Sequence, residues 1–153
     1  MTNISKKELV VSAIENGTVI DHIPVDTVLM VLSILGLDKY EDEVLIGNNL
    51  DSKKYGKKGI IKARNKFFEQ KDINKIALVA PKATLIVIKN YEVVEKKFVE
   101  IPEKIDTILK CINPNCITNK EIVDTKFKVV EKNPLKIQCR YCEKTMTNIR
   151  FAE

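Results

Sequence analysis

Cys111-Ile112-Asn113-Pro114-Asn115-Cys116 and, 22 residues further on, Cys139-Arg140-Tyr141-Cys142 decide how the last third of this chain is built. Two close cysteine pairs separated by a β-length segment form the spacing of a Cys₄ zinc site. A gap of two or four residues lets one loop present two sulfurs to the same tetrahedral ion, and the intervening segment brings the second loop back. With Cys111, Cys116, Cys139 and Cys142 all as ligands, no position stays open for water, so the metal is expected to be structural. Two disulfides, an iron–sulfur centre and a redox Cys-x-x-Cys are the competing readings. The first is disfavoured because Met1 to Lys7 shows neither an apolar leader core nor a cleavage site. Between the pairs, Phe127, Val129 and Ile137 alternate with polar residues around Asn133-Pro134, and a further extended run follows Cys142. The expectation is a small all-β zinc ribbon of the rubredoxin-like kind. A unit of about 40 to 70 residues rarely holds itself together by apolar burial alone, so the metal carries its fold.

Working outward, the first 100 residues contain no cysteine, and Pro102 interrupts the chain just before the cysteine region. Two domains are expected, at 1–102 and 103–153. In the first, Glu8 to Ile14 and Thr18 to Ile23 read as strands about an Asn16-Gly17 hairpin turn. Asp26 is placed to cap a helix that ends at Gly36, and its apolar residues Val28, Leu29, Val31, Leu32 and Leu35 recur at helical spacing. Glu43 to Gly47 and Gly59 to Ala63 read as strands joined by the lysine-rich loop Ser52 to Lys58. Asp72 caps a second helix ended by Pro81, and Ala83 to Lys89 and Tyr91 to Val99 read as strands. Strand, helix, strand, strand, helix, strand is the order of a ferredoxin-like split βαβ, so the fold class is α+β.

Composition excludes several function classes. The longest apolar stretch, Thr27 to Leu37, is far short of the roughly 20 residues of a membrane span. A cytoplasmic protein is expected. The net charge of +5 suggests nucleic acid until it is divided: residues 1–103 hold 16 basic and 15 acidic side chains, and 104–153 hold 10 and 6. Four zinc-bound thiolates would lower the second excess further. Only Arg64, Arg140 and Arg150 are arginines, whose planar fork is the favoured reader of base edges. His22 is the sole histidine, so no nucleophilic triad is supported. Asp21 and His22 are adjacent on a strand and would point to opposite faces. No Walker loop or Gly-x-Gly-x-x-Gly is present. Lys58, Lys62 and Lys96, on or beside strands, have the chemistry to converge on a phosphate chain, although solvated lysines are the rule on any surface.

The runs Gly17-Thr18-Val19-Ile20-Asp21-His22-Ile23-Pro24, Ala80-Pro81-Lys82-Ala83-Thr84, Asn90-Tyr91-Glu92-Val93-Val94 and Pro102-Glu103-Lys104-Ile105-Asp106, with Cys139-Arg140-Tyr141-Cys142-Glu143-Lys144, resemble the regulatory chains of aspartate carbamoyltransferase, in order along nearly the whole chain. The resemblance implies a non-catalytic subunit of pyrimidine biosynthesis. Its N-terminal allosteric domain would bind CTP and ATP, with UTP a further candidate effector, and its zinc domain would dock on the catalytic chain. It implies regulatory homodimers within a dodecamer of two catalytic trimers and three regulatory dimers. Matched residue by residue, it places Val11, Ala13, Ile14, Val19, Asp21, His22, Lys58, Ile60, Lys62, Tyr91, Val93 and Lys96 around the nucleotide. Ser12 and Ile86 depart from the familiar acidic residue and asparagine, which bears on the preference among nucleotides. The alternative from another class is a zinc-ribbon nucleic-acid-binding protein with an unrelated N-terminal domain.

Overall fold

The computed structural model describes residues 13–53 and 56–152, and the chain divides into two units, one ending at Val99 and the other beginning at Glu100. In the first, β1 (Gly17–Ile23), β2 (Val44–Ser52), β3 (Gly56–Arg64), β4 (Thr84–Lys89) and β5 (Glu92–Phe98) form one antiparallel sheet in the order β2-β3-β1-β4-β5. Helices α1 (Val28–Ile34) and α2 (Gln70–Val79) connect β1 to β2 and β3 to β4. This is the split βαβ expected from the sequence, with β5 added at one edge.

Local chemistry explains most boundaries. Gly36, at φ +70°, ends α1 in the left-handed conformation that glycine adopts without strain. Thr27, not Asp26, stands at the N-cap of α1, and its hydroxyl donates to the Pro24 carbonyl. Helix α2 begins earlier than Asp72 suggests. Glu69 is its N-cap, and Asp72 is the third helical residue of a reciprocal capping box, accepting from the Glu69 N–H. The two strands about the lysine-rich loop are longer than their apolar runs, and the connection between them shrinks to a few residues.

The first hairpin is a correction. Most of Glu8 to Ile14 lies outside the described residues, Ala13 to Asn16 are not in a strand, and both edges of β1 are taken by β3 and β4. Asn16-Gly17 is therefore not a hairpin turn. Instead the Asn16 carbonyl accepts from the Asn65 N–H, and the Glu15 carbonyl accepts from the Tyr91 N–H.

Gly59 fixes which face of the sheet the helices cover. A Cβ there would meet Val28 of α1 at 2.1 Å, so Gly59 faces α1, and Ile61 and Ala63, two and four residues on, share that side. Ile20, Ile61, Leu85, Val31, Ile76 and Ala77 are fully buried, and they are the apolar positions that the 2-residue and 3.6-residue periods select. The opposite face carries a second, smaller cluster: Ile14, Val19 and Ile60, with Leu50, Ile86 and Ile88 packed against them.

In the second unit, β6 (Lys104–Asp106), β8 (Lys126–Lys132), β9 (Leu135–Cys139) and β10 (Thr145–Met146) form an antiparallel sheet ordered β10-β9-β8-β6. A short pair joins β7 (Leu109–Lys110) to β11 (Arg150–Phe151). Ile105, Ile108, Leu109, Phe127, Ile137 and Met146 are buried, as are Cys111, Cys116 and Cys139. Six large apolar side chains make a thin core.

Candidate functional site

Three strand irregularities build the open face of the first sheet. Backbone pairing puts Lys62 of β3 opposite Val19 of β1, Val19 opposite Ile86 of β4, and Ile86 opposite Lys96 of β5. Four side chains thus stand in one row across four strands, lysine at each end and apolar residues between. The next positions on this face are Ile60, two residues before Lys62, and Ile88, which pairs with Val93. Val93 and Lys96 are three residues apart and on a regular strand would point oppositely. Val94 is an extra residue in β5, unpaired between the Ile88↔Val93 and Val87↔Glu95 pairs, and this bulge returns both to the same face. A second bulge, between Gly47 and Leu50 of β2 with Asn49 at φ +58°, delivers Leu50 to the small cluster.

The third irregularity lies between Ile20 and Ile23, where His22 takes φ +60°. The strict alternation expected for Asp21 and His22 fails here. The Asp21 carboxylate accepts from the His22 N–H at 2.6 Å, and the imidazole Nδ1 comes to 4.0 Å from Asp21 and 3.3 Å from the Thr84 hydroxyl. Lys58 is nearly inaccessible and its ammonium sits 2.7 Å from the Asp21 carboxylate. Burial alone would raise the Asp21 pKa, but the hydrogen bonds from Lys58 and the His22 backbone outweigh it and hold the carboxyl below its usual range. On Lys62, a cation that is 8% exposed, burial acts in the opposite direction and lowers the pKa. Lys58 is thus engaged with Asp21, while Lys62 and Lys96 end the row.

The remaining candidates sit at one end of this face. Asn90 and Tyr91 both have positive φ, as the two centre residues of a tight hairpin turn require, and this turn joins β4 to β5. The Asn90 N–H donates to the Asn16 side chain and the Tyr91 N–H to the Glu15 carbonyl, so the turn is tied to the segment before β1. Ile14 is buried in the small cluster, while Ala13, the Tyr91 ring and Val93 are exposed. Val11 lies outside the described residues. Sequence reasoning passed over Thr84, Leu50 and Ile88; only the pairing register brings them here.

In the second unit all four cysteine sulfurs lie within 4.8 Å of one another. The close pairs run between the two loops: Cys111 to Cys142 and Cys116 to Cys139, each 3.7 Å. Thiolates about 2.3 Å from a zinc-sized ion at the corners of a tetrahedron stand about 3.8 Å apart, so the donor set fits a single tetrahedral metal. Burial pushes the Cys111 thiol up to about 12. For Cys142 burial acts the same way, but hydrogen bonds from the Lys144 backbone and the Asn113 side chain prevail and bring it down to about 7. The surroundings of Cys142 thus favour the thiolate, the form that ligates metal, whereas burial raises the pKa of its loop neighbour Cys139.

Comparison with known proteins covers both units. Residues 9–100 match the family model for the aspartate carbamoyltransferase regulatory chain, allosteric domain, and residues 103–152 match that for the metal binding domain of the same chain. An aspartate carbamoyltransferase regulatory chain from Pyrococcus horikoshii is 59% identical over 141 residues, covering 91% of this chain and 93% of that protein. Those from Pyrococcus furiosus and Bacteroides fragilis are 55% and 52% identical, each over more than 90% of both chains. With an allosteric half and a four-cysteine metal half in that order, the chain belongs to the family of aspartate carbamoyltransferase regulatory chains and is not itself catalytic.

Proposed function

We propose that the chain binds CTP and ATP on the open face of its N-terminal sheet and transmits their effect to the catalytic chains of aspartate carbamoyltransferase. The observation that carries this reading is the cross-strand row Lys62, Val19, Ile86, Lys96. Separated cations over an apolar floor suit a ligand with an anionic tail and a planar base, and lysine is a compact point charge for phosphate. Asp21 is ionised and fixed by Lys58, which suits it to accept from ribose hydroxyls, with His22 beside it. Ala13, Ile14, Ile60, Tyr91 and Val93 would surround the base, together with Val11. UTP shares this chemistry and is a third candidate effector.

The metal of the second unit is zinc in this reading, because four thiolates with tetrahedral spacing match its preferred structural coordination. Ile117, Ile122 and Tyr141 are exposed on that unit. They offer apolar contact to the catalytic chain. The assembly would be a cytoplasmic dodecamer of two catalytic trimers and three regulatory homodimers. Among the described residues no helix is long and apolar enough to cross a membrane.

Titration of the reconstituted enzyme with each nucleotide tests the reading. The catalytic trimer alone should be insensitive to CTP and ATP, and adding this chain should make it sensitive, with a coupling of about 1 to 3 kcal/mol. A trimer with the same nucleotide response in both forms would contradict a regulatory role for this chain.

A further inference from the structure

The loop from Cys111 to Cys116 has to curl so that two sulfurs face one point, and curling turns its carbonyls inward, where each needs a donor. Asn119 supplies one. It lies at the end of the single helical turn Ile117–Asn119 that follows the second cysteine. Its side chain folds back over the loop, and Nδ2 donates to the carbonyl of Cys111 at 2.8 Å and to that of Asn113 at 2.7 Å. The same Asn113 carbonyl accepts from the Cys116 N–H at 3.0 Å, and the Asn119 N–H donates to the Cys116 carbonyl at 2.9 Å. Asn113 extends the network: its Oδ1 accepts from the Asn115 N–H at 3.0 Å, and its side chain also hydrogen-bonds Cys142 of the second loop.

Both partners of the Asn119 side chain are carbonyl oxygens, which only accept. The position therefore calls for a group with two protons on one atom in a side chain of this length. Aspartate has the same shape and the opposite polarity.

We infer that Asn119 is the positioning residue of the metal centre, tying the start and middle of the first cysteine loop together so that Cys111 and Cys116 converge on the ion. The inference rests on the reading of the four cysteines as a metal site. Partners one step removed from a metal commonly change its affinity about 10- to 100-fold when removed.

The test uses the full-length chain loaded with Co²⁺, whose absorption reports ligand geometry, and follows Co²⁺ release to a chelator while far-UV circular dichroism tracks the fold. Asn119→Asp and Asn119→Ala are compared with Lys120→Ala, an exposed neighbour on the same turn. The expected result is release about tenfold faster or more in both Asn119 variants, with shifted ligand-field bands, and unchanged behaviour in Lys120→Ala. Should Asn119→Asp fail to fold, Asn119→Ala decides the matter alone. Release within twofold of the wild type in Asn119→Ala overturns the inference, as does a lowered urea midpoint with an unshifted cobalt spectrum. A wild-type chain that takes up no Co²⁺ overturns the metal reading itself, a failure visible before any variant is made.

Discussion

Asp21 and Lys58 form a pair in which both partners are largely out of water, and such pairs are asymmetric in their energetics. Replacing one partner strands the other's charge, at a cost of about 3 to 5 kcal/mol. Asp21→Asn should therefore lower the urea stability of the N-terminal unit markedly, and Asp21→Asn with Lys58→Met should recover part of the loss. The carboxyl is held below its ordinary value in the fold, so between the folded and unfolded pKa values the unfolded chain binds more protons. Its stabilisation is complete above the unfolded value near 3.8 and is lost as pH falls through the folded one. Urea melts from pH 6 to pH 2.5 check this, and a gap between wild type and Asp21→Asn that stays constant over that range would refute it. Lys62 and Lys96 make a different prediction. Alanine at either should weaken CTP and ATP binding measured by calorimetry, and leave assembly with the catalytic chain intact. Unchanged affinity in both would remove them from the site.

At the scale of elements, one prediction follows from crowding and one from register. Gly59→Ala puts a Cβ at 2.1 Å from Val28 and 3.1 Å from the Asn48 side chain, so α1 must shift off β3. Overpacking of this kind costs about 1 to 3 kcal/mol, to be read as a lower thermal midpoint. Deleting Val94 should be mild by comparison. The pairs Ile88↔Val93 and Ile86↔Lys96 survive the loss of the unpaired residue, so nucleotide affinity should stay within a few-fold; its abolition would mean that the bulge itself shapes the site.

The same elements mark where the sequence was legible. Helix periodicity, Gly36 and the alternating strands were plain because they are local. The cysteine pairs were plain because metal spacing is local too. The bulges at Asp21-His22, Asn48-Asn49 and Val94 were not, since each is defined by the partner strand's register and not by the residues that form it. Hence Asp21 and His22 read as pointing to opposite faces; Asn16-Gly17 read as a hairpin because nothing local shows that β3 and β4 take both edges of β1. The nucleotide candidates came from family resemblance, whereas the row joining Lys62 to Lys96 needed the sheet. The capping box was half visible: Asp72 was singled out, but its reciprocal partner Glu69 belongs to a rarer type of cap.

The whole molecule is two units of unlike kind. One is held by an apolar core between sheet and helices; the other has six large buried apolar side chains and a cluster of four cysteine sulfurs. Chelation should therefore act on half the chain only. Adding a strong zinc chelator should abolish the dispersed amide signals of β8 and β9 and leave those of β1 and β4 in place, and docking to the catalytic chain should disappear with them. Loss of both sets together would mean that the units do not fold separately. That the chain is a regulatory subunit and not a zinc-ribbon nucleic-acid binder is settled by the family match across both units.

The sulfur cluster also makes folding a matter of mass action. Cys116 and Cys139 close a long stretch of chain through an ion that comes and goes, unlike a covalent bridge. A ligand that binds only the folded form adds stability in proportion to the logarithm of its free concentration. Each tenfold fall in free metal then subtracts about 1.4 kcal/mol from the C-terminal unit and nothing from its neighbour. On the proposed reading, in which this unit holds the catalytic chain and the other binds nucleotide, the fraction of enzyme under nucleotide control would become a readout of the cell's metal supply.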